Sequence, residues 1–238
     1  MIPLASEKLF SILGFRVTDT IMGTLLTDAV ILVVVFIIYK GISLYPNKLQ
    51  SAAEMFIEYF YTTTKDIAGS RTGDIFPWFA SFFIFIATAN ILGLMPGYGL
   101  LSINEGEGLI PIFRAPSSDL NTTFALAVIS VVATHVLSIK HTGVKGYLSR
   151  FFSLSPILLF VGMLELVAEV TKLISFSFRL FGNIYAGEIV LGNVSAMMAY
   201  VVPLPFIVLE IIVALVQALI FAALTMAFMS IMTDKPAH

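Results

Sequence analysis

Glu165, Glu169, Lys172, Arg179, Glu188 and Glu210 are the only formal charges in an otherwise apolar run from Phe151 to Thr233. Carboxylates can take up and release protons. A guanidinium stays protonated, so Arg179 cannot relay a proton, but it can hold a carboxylate supplied by another molecule. On a helix advancing about 100° per residue, Glu165, Lys172, Ser175 and Asn183 fall within about 40° of Arg179 and make one polar stripe. Glu169 reaches Lys172 at i,i+3, and Glu210 and Gln217, seven apart, share a face of a second helix. Buried ion pairs gluing helices together account equally well for Glu165, Glu169 and Lys172. Arg179 is different: its helical neighbours Ser175, Phe176, Leu180, Gly182 and Asn183 include no counter-ion. That favours a partner carrying an acid.

The elements holding these groups must lie in lipid. Of 238 residues, 58% are hydrophobic and 12% charged, with a mean hydropathy of +0.98, whereas soluble domains carry about 25% charged residues. A soluble enzyme is excluded. A formal charge of −2 offers no basic field for nucleic acid, and the absence of Cys rules out disulfides, thiolate metal sites and cysteine nucleophiles. A crossing needs about 20 mostly apolar residues. Segments 75–95 and 120–139 carry no Asp, Glu, Lys or Arg and end in turn chemistry, Pro96-Gly97-Tyr98-Gly99 and His141-Thr142-Gly143. Segment 21–39 is interrupted only by Asp28, expected near its end.

The charge-free stretches 189–209 and 211–233 would together measure roughly 67 Å as one helix, too long for a perpendicular crossing. Pro203 and Pro205 mark where a new helix begins. The expectation is two long, strongly tilted helices, 151–185 and 202–232, joined by a mixed connection around Gly192-Asn193. Residues 47–65 make an amphipathic helix with Leu49, Ala52, Ala53, Phe56 and Phe60 on one face and Gln50, Glu54, Glu58 and Lys65 away from it. It reads as a membrane-surface helix in preference to one packed and facing water. Residues 1–15 lack a basic leader and resemble no signal peptide. The chain, 1–238, reads as one all-α, multi-pass membrane domain with five crossings. With that count Lys40, Lys48, Lys65, Arg71, Lys140, Lys145, Arg150 and Lys235 share one side, and Lys8, Arg16 and Arg114 the other. The positive-inside bias then puts the C-terminus in the cytoplasm, the N-terminus outside and the acidic loop Glu105-Gly106-Glu107 outward.

The run Ser175-Phe-Ser-Phe-Arg179-Leu-Phe-Gly-Asn183-Ile-Tyr-Ala-Gly-Glu188 closely resembles the core of subunit a, the stator channel subunit of F-type ATP synthases. Asn90-Ile-Leu-Gly-Leu-Met-Pro-Gly resembles the end of that family's third helix, Ser118-Asp-Leu-Asn-Thr-Thr the start of its fourth, and Leu215-Val-Gln217-Ala-Leu-Ile-Phe its last helix. The likeness spans nearly the whole chain in order, apart from the first twenty residues and the 98–117 loop. It implies five crossings plus one surface helix, the last two helices forming a tilted hairpin against a rotating ring of c subunits that each carry a carboxylate. It also implies two aqueous half-channels opening to opposite sides, and partners in b-type peripheral stalk subunits and the rest of the F1Fo complex.

By resemblance, Arg179 faces the ring between the half-channels, with Asn183 and Gln217 beside it. Glu188 and Glu210 match the outward proton path, and Glu165 an acidic position on the cytoplasmic side. Asp119, Asn121, Asn90 and Ser175 are weaker channel-lining candidates; for Asp119 a helix N-cap is an equally good account. Glu210 stands where other members carry His. Glu188, nine positions from Arg179, falls on the opposite face of an ideal helix, so a break near Gly182 or Gly187 is expected. No catalytic group, metal or cofactor is implied. The Ile-Tyr-Ala-Gly-Glu ending looks bacterial, which suggests a plasma membrane. The alternatives are a secondary ion-coupled transporter, which usually reveals two related halves, and a non-transporting assembly scaffold.

Overall fold

The structure is a computed structural model, and it describes residues 6–12, 15–95, 98, 102–104, 109–151, 156–197 and 201–234. The acidic loop at Glu105 to Glu107, the Pro96-Gly97 part of the turn and Lys235 lie outside the described residues.

Among the described residues six α-helices carry the fold: α1 (Asp19–Lys40), α2 (Lys48–Ala68), α3 (Thr72–Leu94), α4 (Leu120–Phe151), α5 (Pro156–Met197) and α6 (Pro203–Thr233). Among the described residues, four helical stretches are long and apolar enough to cross a membrane: Asp19–Lys40, Lys48–Leu94, Leu120–Phe151 and Pro203–Thr233. The fold is mostly helical, as expected of an all-α membrane protein, with two short antiparallel hairpins beside the helices among the described residues. β1 (Lys8–Ile12) pairs with β2 (Phe15–Thr18), and β3 (Ser102–Asn104) with β4 (Leu109–Pro111). Strands of three to five residues are too short for alternation to distinguish them from loop.

The Thr18 hydroxyl caps α1 by accepting from the Ile21 N–H at 3.4 Å. This early start leaves Asp28, expected near the end of the first crossing, exposed well inside α1. Residues 144–151 continue α4 beyond a break at Gly143, where φ 73 and ψ 163 are open only to glycine. Pro203 opens α6 as expected. The connection expected around Gly192-Asn193 lies elsewhere, because α5 runs through both to Met197. One helical glycine costs only about 1 kcal/mol, not enough to end an otherwise favourable helix. The same holds at Gly182 and Gly187: no break occurs at either, and α5 is about 63 Å long.

Helices α3 to α6 share one core. Ile75, Phe79, Phe82 and Ile86 of α3 meet Ala218, Phe221, Ala222 and Met226 of α6, and Phe176 and Leu180 come in from α5. Small side chains at Ala127, Ala218 and Ala222 let the helices approach, and hydroxyls bond across them: Ser130 with Thr225 at 2.8 Å, and Ser138 to the Met232 carbonyl at 2.6 Å. Helix α2 lies on α3 and α6, with the rings of Phe56 and Phe60 packed at a tilt against Phe79 and Phe83 at centroid separations of 5.2 to 5.5 Å. Its expected apolar face is only partly covered. Leu49 and Ala52 are exposed, while Gln50, expected to point away, is buried because its amide bonds Ser43 and Glu54.

One end of the bundle is tied by ion pairs. Arg71 meets Asp234 at 2.7 Å, Asp74 meets Lys140 at 2.8 Å and His141 at 2.9 Å, and Arg150 donates to the Ile231 and Met232 carbonyls. Thus the start of α3 and the ends of α4 and α6 gather together. Outward apolar side chains on α1 (Leu32 to Ile37) and α5 (Val167, Val170, Ile174, Phe178) suit a lipid or protein neighbour.

Candidate functional site

Ser175, Arg179 and Asn183 recur at i,i+4 along α5, so their side chains climb one face. The Arg179 guanidinium is exposed and donates from Nη2 to the Ser175 hydroxyl at 3.2 Å. Among the described residues no carboxylate pairs with it. It borders a groove of about 450 Å³ between α5 and α6, shared with Ala168, Thr171, Lys172, Leu224 and Phe228. Asn183, one turn further on, is also exposed.

The other charges of the stripe are taken. Glu165 pairs with Arg150 at 2.6 Å, which ties α4 to α5. Glu169 pairs with Lys172 at 2.8 Å, the i,i+3 contact expected from spacing, and the Lys172 ammonium sits 3.9 Å over the Phe228 ring. Arg179 therefore differs from these neighbours in pairing with no acid among the described residues.

A second cluster lies on the other face of α5. Glu188 stands within reach of the Ser118 hydroxyl and in the electrostatic field of Arg114, Asp19 and Glu210. Arg114, counted above as a solvent-side cation, is buried instead: its Nε donates to the Ser118 hydroxyl at 3.1 Å and its Nη2 to the Ser118 carbonyl at 3.3 Å. Asp19, also buried, accepts from the N–H groups of Thr20 at 2.8 Å and Glu7 at 3.1 Å. The Glu210 carboxyl lies directly over Gly187, in the space a side chain there would occupy. Glu210 thus reaches α5 beside Glu188, within its electrostatic field, without a helix break, because the bare backbone of Gly187 lets α6 close on α5. Arg179 is about 13 Å away along the axis, on the opposite face. Nearby, burial first and then the charge of Glu188 push the Tyr98 phenol up to about 12.

Gln217 is buried on α6 one turn beyond Ala214, whose carbonyl accepts from the Asn90 amide at 3.5 Å. The Asn90 carbonyl oxygen is buried without a partner. Asp119 caps α4: its Oδ1 accepts from the Asn121 N–H at 2.9 Å and from the Asn121 side-chain amide at 3.1 Å. Both residues therefore have a structural account. Asp19 goes unnamed in the sequence pattern, and Arg114 and Ser118 are not linked there to Glu188, since nothing in linear spacing joins positions 19, 114, 118 and 188.

Gly23 makes this cluster possible. A Cβ there would run into the Arg114 carbonyl oxygen and approach the Tyr98 hydroxyl. Gly23→Ala is expected to destabilise the fold by about 1–3 kcal/mol through overpacking. A lowered midpoint of thermal unfolding in detergent checks this; an unchanged midpoint would mean that the loop yields freely.

Comparison with known proteins places these residues in a family frame. Residues 21–230 match the model of the family described as ATP synthase A chain. The chain is similar to ATP synthase subunit a of Moorella thermoacetica, 28% identical over 223 residues and covering 94% of each chain. It is also similar to ATP synthase subunit a of Geotalea daltonii, 32% identical over 214 residues, 88% of this chain and 85% of that one. ATP synthase subunit a 2 of a Bradyrhizobium species is 30% identical over 226 residues, 95% of this chain and 93% of its own.

Proposed function

The chain belongs to the ATP synthase A chain family, and from that premise we propose that it is the proton-translocating stator subunit of the Fo sector of a bacterial F-type ATP synthase, non-catalytic itself. It forms a single domain in the plasma membrane, and α1, α3, α4, α5 and α6 make five crossings. The N-terminus lies outside and the C-terminus in the cytoplasm. The ion pairs that collect Arg71, Lys140, Arg150 and Asp234 at one end support this count and orientation.

One observation carries the mechanism: an exposed guanidinium on an apolar helix that pairs with no acid among the described residues. A charge at mid-bilayer costs at least ~2.5–3.5 kcal/mol, so it persists where a partner charge visits. A ring of c subunits, each with a carboxylate, supplies that visitor. Protons enter from outside past Glu188 and Glu210 and leave on the cytoplasmic side near Glu165, with Asn183 and Gln217 as polar neighbours of the exchange. Asn90, Ser175, Asp119 and Asn121 hold the surrounding backbone and side chains. A rotor carboxylate that loses its proton opposite Arg179 exchanges costly burial for a charge pair, and it must regain a proton before returning to lipid. Rotation and ion transfer are thereby linked. The b-type stalk subunits hold the chain against the torque.

A secondary transporter is the second reading, but the chain has one polar hairpin and no related halves. Purification of the tagged chain from its native membrane separates the two. A ring of small hairpin proteins with a mid-membrane acid should come with it; substrate uptake by the purified chain alone would overturn the reading.

A further inference from the structure

The cytoplasmic side of α5 holds a second set of titratable groups that the family motifs do not include. Glu169 is almost buried, and its two oxygens differ: Oε1 accepts from Lys172 at 2.8 Å, while Oε2 is buried with no hydrogen-bond partner. A purely structural pair would satisfy both oxygens, since an unpaired buried acceptor destabilises the fold. The orphan oxygen instead faces His135 of α4, whose Nε2 is 3.7 Å away, just beyond bonding distance. The other ring nitrogen, Nδ1, is 3.1 Å from the Tyr147 hydroxyl.

On a straight helix Tyr147 would stand about 18 Å from His135. The break at Gly143 turns residues 144–151 back and makes the contact. At the other end of the series, Lys172 borders the groove of Arg179. The groups therefore connect that groove to the end of the bundle rich in basic residues.

We propose that Glu169, His135 and Tyr147 carry protons from the groove beside Arg179 to the cytoplasmic surface. The inference rests on the proton-translocating reading above and names residues for its outlet. A proton released in the groove is taken by Glu169. It passes from Oε2 to His135 Nε2, giving an imidazolium and restoring the carboxylate. The imidazolium then gives its Nδ1 proton to the Tyr147 oxygen as the hydroxyl proton leaves to water, so each group ends with its original charge. Lys172, fixed over Phe228, positions Glu169 and takes no proton.

The test is passive proton flux through the assembled complex in vesicles stripped of the catalytic sector. His135→Gln and Glu169→Gln should each reduce flux on the order of tenfold, below the ~10²–10⁴ of a full general acid–base group because water takes over part of the path. The double variant should lose no more than the worse single one, as expected of steps in series. Tyr147→Phe keeps the ring contact with Phe151 and removes the hydroxyl alone, so it reports even if a histidine variant fails to assemble. It should show a smaller drop with assembly intact. Normal flux in Tyr147→Phe and in whichever of the other two variants assembles would overturn the outlet. Should those variants be normal while Arg179→Ala abolishes coupling, the outlet alone fails; should Arg179→Ala also transport normally, the underlying reading fails.

Discussion

Replacing Arg179 by alanine is expected to abolish both ATP-driven proton pumping and proton-driven ATP synthesis, while the complex still assembles. The side chain donates to Ser175 and pairs with no carboxylate among the described residues, so its removal orphans no buried acid of this chain. The neighbouring core residues Phe176 and Leu180 are buried in the helix core and remain packed. On the proposed mechanism, what disappears is the permanent charge that makes a deprotonated rotor carboxylate stable at this point and bars protons from passing directly between the half-channels. Moving one charge through 100 mV supplies ~2.3 kcal/mol, so several protons are needed per ATP, and a leak here dissipates them all. Arg179→Lys should fail nearly as completely, because an amine can release its proton in a low-dielectric site and lacks the planar fork that holds a carboxylate. Fluorescence quenching by acidified inverted vesicles measures pumping, and co-purification of the ring measures assembly. Normal coupled transport in the assembled alanine variant would remove Arg179 from the mechanism.

The legible part of this molecule is what local pattern dictates. Long apolar runs define α1, α3, α4 and α6, Pro203 defines the last helix start, and the i,i+3 and i,i+4 spacings define the Glu169–Lys172 pair and the Ser175–Arg179–Asn183 face. Features that join distant positions were not legible. Asp19, Arg114 and Glu188 meet because Gly23 admits the loop backbone, and Tyr147 meets His135 because Gly143 takes a positive φ. Hydropathy does not record the absence of a Cβ. The expected helix break near Gly187 illustrates the same point. Spacing alone assigns the opposite facing of Arg179 and Glu188 to the backbone of one helix, whereas the solution is a second helix that brings Glu210 onto the bare glycine. Continuity of α5 through Gly192 follows too, since propensity is weak beside the packing of a helix this long.

That contact sets the second large effect. Glu188→Gln and Glu210→Gln should each lower passive proton flux by about 100-fold or more, the loss expected when a positioned acid–base group is replaced by one that cannot exchange a proton. Both amides are close in size to the carboxyls they replace, so assembly and ring association should be retained. Gly187→Ala is the sharper variant. It leaves every titratable group in place, but its methyl would occupy the position of the Glu210 carboxyl and must drive that side chain off α5. If protons pass between Glu188 and Glu210, the alanine variant should lose flux nearly as severely as Glu210→Gln, and shortening the displaced acid with Glu210→Asp in the same chain should restore part of it. If the two glutamates only fill space, Gly187→Ala should instead lower thermal stability, and the two Gln variants should conduct as the parent does. Unchanged passive flux in both Gln variants would take the pair out of the inlet and leave the buried Arg114 and Asp19 cluster as a structural ion network around a non-conducting helix crossing.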